Sequence, residues 1–152
     1  MKPIKGSIVA MVTPFKEDES VDFERLEQTI EYQIKNGTDG ILVLGTTGES
    51  TTMTHEEDDE VARFTIEKVN GRIPVIVGAG SNSTQTQLEK SIKYSRMGAD
   101  ALLLISPYYN KANTQGMIRH FTVCADAVDC PVILYNIPEE PVVRFPKKLS
   151  KY

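Results

Sequence analysis

Five short apolar runs, over residues 8–12, 41–44, 75–77, 102–105 and 132–135, punctuate the sequence at near-regular intervals. Each is continuous rather than alternating, as expected of parallel strands covered on both faces. Segments of helical period lie between them. Phe23, Leu26, Ile30 and Ile34 form one stripe, opened by Asp22 as N-cap and closed by Gly37. Thr54-His55-Glu56-Glu57 is a capping box ahead of the stripe Val61, Ala62, Thr65, Ile66 and Val69. Thr84 opens a third helix carrying Leu88, Ile92 and Met97. Thr114 opens a fourth carrying Met117, Phe121 and Val128.

Strand, helix and strand at roughly thirty residues per unit is the βαβ signature. The units also resemble one another. Asn36-Gly37-Thr38-Asp39-Gly40-Ile41-Leu42-Val43 matches Met97-Gly98-Ala99-Asp100-Ala101-Leu102-Leu103-Leu104 two units later. Each copy has a helix-ending glycine, a turn aspartate and a buried strand. Such repetition fits a barrel better than a doubly wound sheet. The expected fold is therefore α/β, a partial (β/α)8 barrel of about five parallel strands and four helices that does not close. Residues 146–152 read as the first turns of a fifth helix, and the whole chain, 1–152, reads as a single domain.

The net charge is −4, and no basic cluster exceeds Lys147-Lys148, so a nucleic-acid surface is not expected. No apolar run has membrane-spanning length and no charged-then-apolar leader is present, which makes cytoplasm the default location. Cys124 lies on a helical face with Met117, Phe121, Ala125 and Val128 and reads as a small buried hydrophobe; Cys130 precedes Pro131 at a strand entry. Two cysteines, with His55 and His120 far apart in sequence, provide no zinc-type spacing.

In a parallel barrel, reactive groups sit at the carboxyl ends of the strands. The candidates are Thr13-Pro14, Gly45-Thr46-Thr47-Gly48-Glu49-Ser50, Gly78-Ala79-Gly80-Ser81-Asn82, Ser106-Pro107-Tyr108-Tyr109-Asn110 and Tyr135-Asn136-Ile137-Pro138. The 45–50 loop combines glycines that admit close backbone approach with two hydroxyls. It reads equally as a nest for a small carboxylate and as a tight strand-to-helix turn. Gly78-Ala79-Gly80 lacks the third glycine and following acid of a dinucleotide fingerprint and reads as a turn. Tyr109 and Tyr135 are expected to end strands on the reactive face. With Thr46 they form a set of hydroxyls able to pass a proton. Each tyrosine alone reads as half-buried packing with a wet tip.

These motifs resemble the dihydrodipicolinate synthase (4-hydroxy-tetrahydrodipicolinate synthase) and N-acetylneuraminate lyase superfamily. The similarity runs from Gly6 to Pro138 and rests on Gly45-Thr46-Thr47-Gly48-Glu49-Ser50, Pro107-Tyr108-Tyr109-Asn110-Lys111 and Tyr135-Asn136-Ile137-Pro138. The Thr-Thr pair and Tyr-Tyr-Asn favour the synthase branch. The resemblance implies a metal-free and cofactor-free lyase of lysine and diaminopimelate biosynthesis. In it pyruvate forms a Schiff base with a lysine and condenses with aspartate semialdehyde. It implies a proton relay of Thr46, Tyr109 and Tyr135, with Thr47 and Gly48 holding the pyruvate carboxylate. It also implies that Tyr109 enters a neighbouring subunit's site, so that a homo-oligomer is part of the active unit. Ser50, His55, Asn82 and Tyr108 match positions of an allosteric lysine site, where Asp58 and Thr86 replace a His and a Glu.

Three departures accompany the resemblance. The family's Schiff-base lysine lies on a sixth strand, and none of the eleven lysines here falls in an apolar strand core; Lys147, Lys148 and Lys151 fall on the expected outer helix start. Glu140 stands where the family has an arginine for the semialdehyde carboxylate, and Val142 where it has a glycine. The first expectation is thus a truncated enzyme-family member, inactive alone. The second is a non-catalytic half-barrel that binds a small carboxylate or pairs with a full-length homologue. A third is another pyruvate-dependent aldolase such as N-acetylneuraminate lyase. Open sheet edges favour association.

Overall fold

The computed structural model describes residues 4–136. Glu140, Val142, Lys147, Lys148, Lys151 and the helix expected over 146–152 lie outside them. Five strands, β1 (Ile8–Ala10), β2 (Gly40–Val43), β3 (Val75–Gly78), β4 (Ala101–Ile105) and β5 (Val132–Tyr135), alternate with α1 (Phe23–Lys35), α2 (His55–Val69), α3 (Thr84–Met97) and α4 (Thr114–Ala125). The sheet is wholly parallel and its spatial order, β1-β2-β3-β4-β5, follows the chain without reversal. Consecutive helices touch, α1 with α2, α2 with α3 and α3 with α4. A doubly wound sheet reverses its order at a switch point. The monotonic order instead makes this the wall of a barrel, unclosed among the described residues.

Alternate strand residues enter the helix–sheet core. Ile41 and Val43, Val75 and Val77, and Leu102 and Leu104 pack there against Leu26, Ile30, Val61, Met117 and Phe121. The opposite strand face carries Leu42, Leu103, Ile105 and Ile133, all only half-buried. Coverage falls from the centre outward. All of β3 is buried, whereas β1 exposes Ile8 and β5 exposes Tyr135, because each edge strand has one neighbour.

The sequence repeat has a structural counterpart. Asp39 precedes β2, and its carboxylate accepts the Ser7 N–H at 2.7 Å while its own N–H donates to the Ser7 carbonyl at 2.8 Å. Asp100 precedes β4 and does the same to Val75, at 2.8 and 2.9 Å. Each aspartate clamps the start of the preceding strand and helps set its register. The glycines before them, Gly37 and Gly98, have φ of +84° and +100°, the left-handed backbone that ends a helix.

Most helix signals agree with the structure. Asp22 caps α1 by accepting from Arg25 N, and Thr54 and Glu57 form the reciprocal capping box of α2. Thr84 and Thr114 open α3 and α4 as expected, with Ser83 and Asn113 as their N-caps. Val128 is not on α4, which ends at Ala125; it reaches the core from the following connection. The first strand is shorter than the apolar run 8–12, since Met11 and Val12 follow β1. Cys124 is fully buried and Cys130 half-buried, and both are free thiols.

Candidate active site

At the carboxyl ends of the strands, the chain after β2 makes two short 3-10 turns, Thr46–Gly48 and Ser50–Thr52. The first is closed by Gly48 N–H to the Gly45 carbonyl (2.9 Å) and Glu49 N–H to the Thr46 carbonyl (3.1 Å). Those two amides are committed to the turn, so the expected nest is narrower than the motif suggests. Thr46 and Thr47 are exposed, and Gly48 is buried. The Thr13 hydroxyl donates to the Gly48 carbonyl at 2.7 Å and ties the loop to the end of β1. A methyl at Gly48 would press on the Met11 carbonyl at 3.2 Å, which explains why a glycine sits there.

A cavity of about 80 Å³ opens here, lined by Gly45, Thr46, Ser50, Tyr108 and Tyr135 together with Leu44, Thr51, Gly78, Gly80, Leu103 and Ile105. Thr46 and Tyr135 therefore share one pocket across the sheet. Two of the residues matched to the allosteric positions, Ser50 and Tyr108, share it too. His55 is elsewhere, exposed at the start of α2. Asn82 is half-buried, and its carbonyl accepts from the Asn110 side chain at 3.2 Å. The 78–80 segment is not a turn, because Gly78 closes β3 and the Ala79 N–H still donates to the Leu103 carbonyl of β4 at 3.1 Å, and its glycines are needed for packing. A Cβ on Gly78 would lie 2.1 Å from the Leu44 carbonyl oxygen, and one on Gly80 2.6 Å from the Ile105 side chain.

Tyr109 is placed differently from the expectation. It does not end a strand, because β4 stops at Ile105, and it does not line the pocket. Its φ is +67° and it is 93% exposed. The left-handed backbone turns the chain away from the sheet after Pro107-Tyr108. Leu44 and Glu49, both with φ of +58°, are two further non-glycine residues in that region. Such backbone conformations cost energy and concentrate at functional loops.

Beneath the loop lie Asp58, which the resemblance set among the allosteric positions, and Lys90, which it did not single out. Asp58 is completely buried, and its carboxylate accepts from the Ser50 hydroxyl at 3.0 Å and from Lys90 Nζ at 2.5 Å. Burial pushes the Asp58 carboxyl up, against the opposing pull of Lys90 and Ser50. The signal for that burial was available, since Asp58 falls on the same helical stripe as the buried Val61, Ala62, Thr65 and Val69. Among the described residues no strand carries a lysine. No group of three His, Cys, Asp or Glu side chains there is able to hold a metal ion, and no helix is long and apolar enough to cross a membrane. A second cavity, about 200 Å³, is mostly apolar, with Thr122 and Asp126 on its wall. It lies between the end of α4 and the start of β5, away from the strand ends, and is lined by Phe121, Ala125, Cys130, Val132 and Leu134.

An open parallel β/α wall with a hydroxyl-lined pocket at the strand carboxyl ends defines the chain as part of a barrel of the small-molecule-binding kind. The sequence model of the dihydrodipicolinate synthetase family matches residues 3–148, and the chain belongs to that family. The 4-hydroxy-tetrahydrodipicolinate synthase of Pelobacter propionicus is 55% identical over 134 residues, covering 88% of this chain and 46% of that protein. The synthase of Clostridium tetani is 50% identical over 152 residues, covering 99% and 51%. Dihydrodipicolinate synthase from Acinetobacter baumannii, solved as a pyruvate complex, has a TM-score of 0.88 at 45% identity, over 91% of this chain and 47% of that one. The chain thus spans about half the length of the curated relatives it matches.

Proposed function

We propose that residues 4–136 form the carboxylate-holding and proton-relay side of a pyruvate-dependent lyase site of the 4-hydroxy-tetrahydrodipicolinate synthase type. The observation that carries this reading is the shared pocket of Thr46, in the turn after β2, and Tyr135, at the end of β5. Thr47 holds the pyruvate carboxylate, and Gly48, its N–H engaged by the Gly45 carbonyl, shapes the turn beneath it. The Thr46 and Tyr135 hydroxyls pass a proton by hydrogen bonding. Tyr109, turned outward and exposed, completes the relay of a second copy, which makes a homo-oligomer the functional unit.

The Schiff-base amine belongs to a part of the barrel beyond the described strands. Lys90 does not replace it. It lies on α3, is engaged by Asp58 and does not line the pocket. The remainder of a barrel, in the same polypeptide or a homologous one, fits against the open edges at β1 and β5.

Incubation of the 152-residue chain with pyruvate, reduction with borohydride and intact-mass measurement test the assignment of the amine. No adduct is expected. One pyruvyl group per chain would overturn it.

A further inference from the structure

The buried Asp58–Lys90 pair is joined to the candidate site by one contact. Asp58 Oδ2 accepts from Lys90 Nζ of α3 and from the Ser50 hydroxyl, so a chain of three side chains runs from the loop through α2 to α3. The Asp58 side chain is 1% exposed and that of Lys90 12%. Burying two charges is costly, and an apolar pair of similar volume commonly gives equal or greater stability. Asp58 Oδ1 has no hydrogen-bond partner among the described residues. On the same helices Lys93 and Asp59, the residue next to Asp58, already link α3 to α2, at 2.5 Å and with greater exposure. What distinguishes the buried pair is Ser50.

Ser50 begins the second 3-10 turn, directly after the left-handed Glu49, and lines the pocket. The loop's own bonds, from Gly48, Glu49 and Thr52 N–H, each reach back only three residues. The first turn is tied to the scaffold by Thr13, and the second by Asp58. We propose that Asp58 and Lys90 are positioning residues. They hold the Ser50–Thr52 turn, and through it Thr46 and Thr47, in the arrangement that receives a small carboxylate. The inference deepens the functional reading above and rests on it for the identity of the ligand.

The test compares the wild-type chain with two charge-neutral double variants, Asp58→Asn/Lys90→Met and Asp59→Asn/Lys93→Met. Removing both partners avoids stranding a buried charge. Amide exchange at Gly48, Glu49 and Thr52 reports loop order, and pyruvate titration reports affinity. In the first variant, exchange at those amides is expected to rise about tenfold, with α2 and α3 still protected. Its pyruvate affinity is expected to fall by about tenfold too. The second variant is expected to match wild type in both. Equal behaviour of the two variants, unchanged loop exchange in the first, or its general loss of α3 protection would overturn the proposal. If wild type binds no pyruvate, the functional reading fails, and the exchange comparison still decides whether the pair positions the loop.

Discussion

The Thr13 hydroxyl donates to the Gly48 carbonyl across 2.7 Å, joining the end of the first strand to the centre of the candidate carboxylate loop, 35 residues away in sequence. Thr13 is 5% exposed, so the carbonyl it serves is out of reach of bulk water. Thr13→Val keeps the shape and removes the donor. It is expected to lower stability by about 1–3 kcal/mol, the usual result of stranding a buried acceptor. Urea denaturation followed by circular dichroism measures this, and a midpoint equal to wild type would show that the bond holds nothing in place.

The paired aspartate clamps give a second expectation. Asp39 and Asp100 each accept a strand-opening N–H and donate to the same residue. Asp100 serves the fully buried β3, whereas Asp39 serves the exposed edge strand β1. Asp100→Ala is therefore expected to cost about 1–3 kcal/mol and Asp39→Ala less than about 1 kcal/mol, because water replaces a lost partner only at the edge. Equal losses in thermal or urea unfolding would contradict the difference in burial.

His120 makes stability depend on pH. Its Nδ1 lies 2.8 Å from the Thr84 hydroxyl, its ring stands edge-on to Phe121, and it is 2% exposed. Burial pushes the imidazole below its ordinary pKa of 6.5. With the folded pKa depressed, the contribution to stability is fully present above 6.5 and is lost as pH falls through the folded value. Asp58, whose carboxyl is pushed up, carries the opposite slope, its contribution fading as pH rises through its folded value. The difference between wild type and His120→Gln isolates the imidazole. Unfolding free energy should fall from pH 8 towards pH 5 more steeply in wild type than in the variant; parallel profiles would exclude His120 as the cause.

The strands and helices were legible because two periods separate cleanly here. Apolar runs are continuous where a strand is sandwiched, and helical stripes recur beside recognisable caps. The errors arose where a long-range contact decides the local backbone. Val128 kept the helical spacing of Met117 and Phe121, yet α4 ends at Ala125 and Val128 packs from the connection. Tyr109 follows an apolar strand closely enough to suggest a strand end, but its left-handed φ sends it into solvent. The family motifs located the pocket through Thr46 and Tyr135. They set Asp58 among the allosteric positions without revealing its bond to Lys90, a contact spanning 32 residues. The two 3-10 turns after β2 likewise depend on long-range bonds, the first from Thr13 just beyond β1 and the second to Asp58 on α2.

The central proposal is that the Thr46-Thr47-Gly48 turn receives a small carboxylate beside the Tyr135 hydroxyl. It is tested most directly by titrating pyruvate into the isotopically labelled chain and following backbone amide resonances. The account predicts saturable shifts at Gly45, Thr46, Thr47, Gly48 and Tyr135, and a weakened response in Thr47→Val. Shifts confined to the apolar cavity near Phe121 and Val132, or none at these five residues as pyruvate is raised, would contradict it.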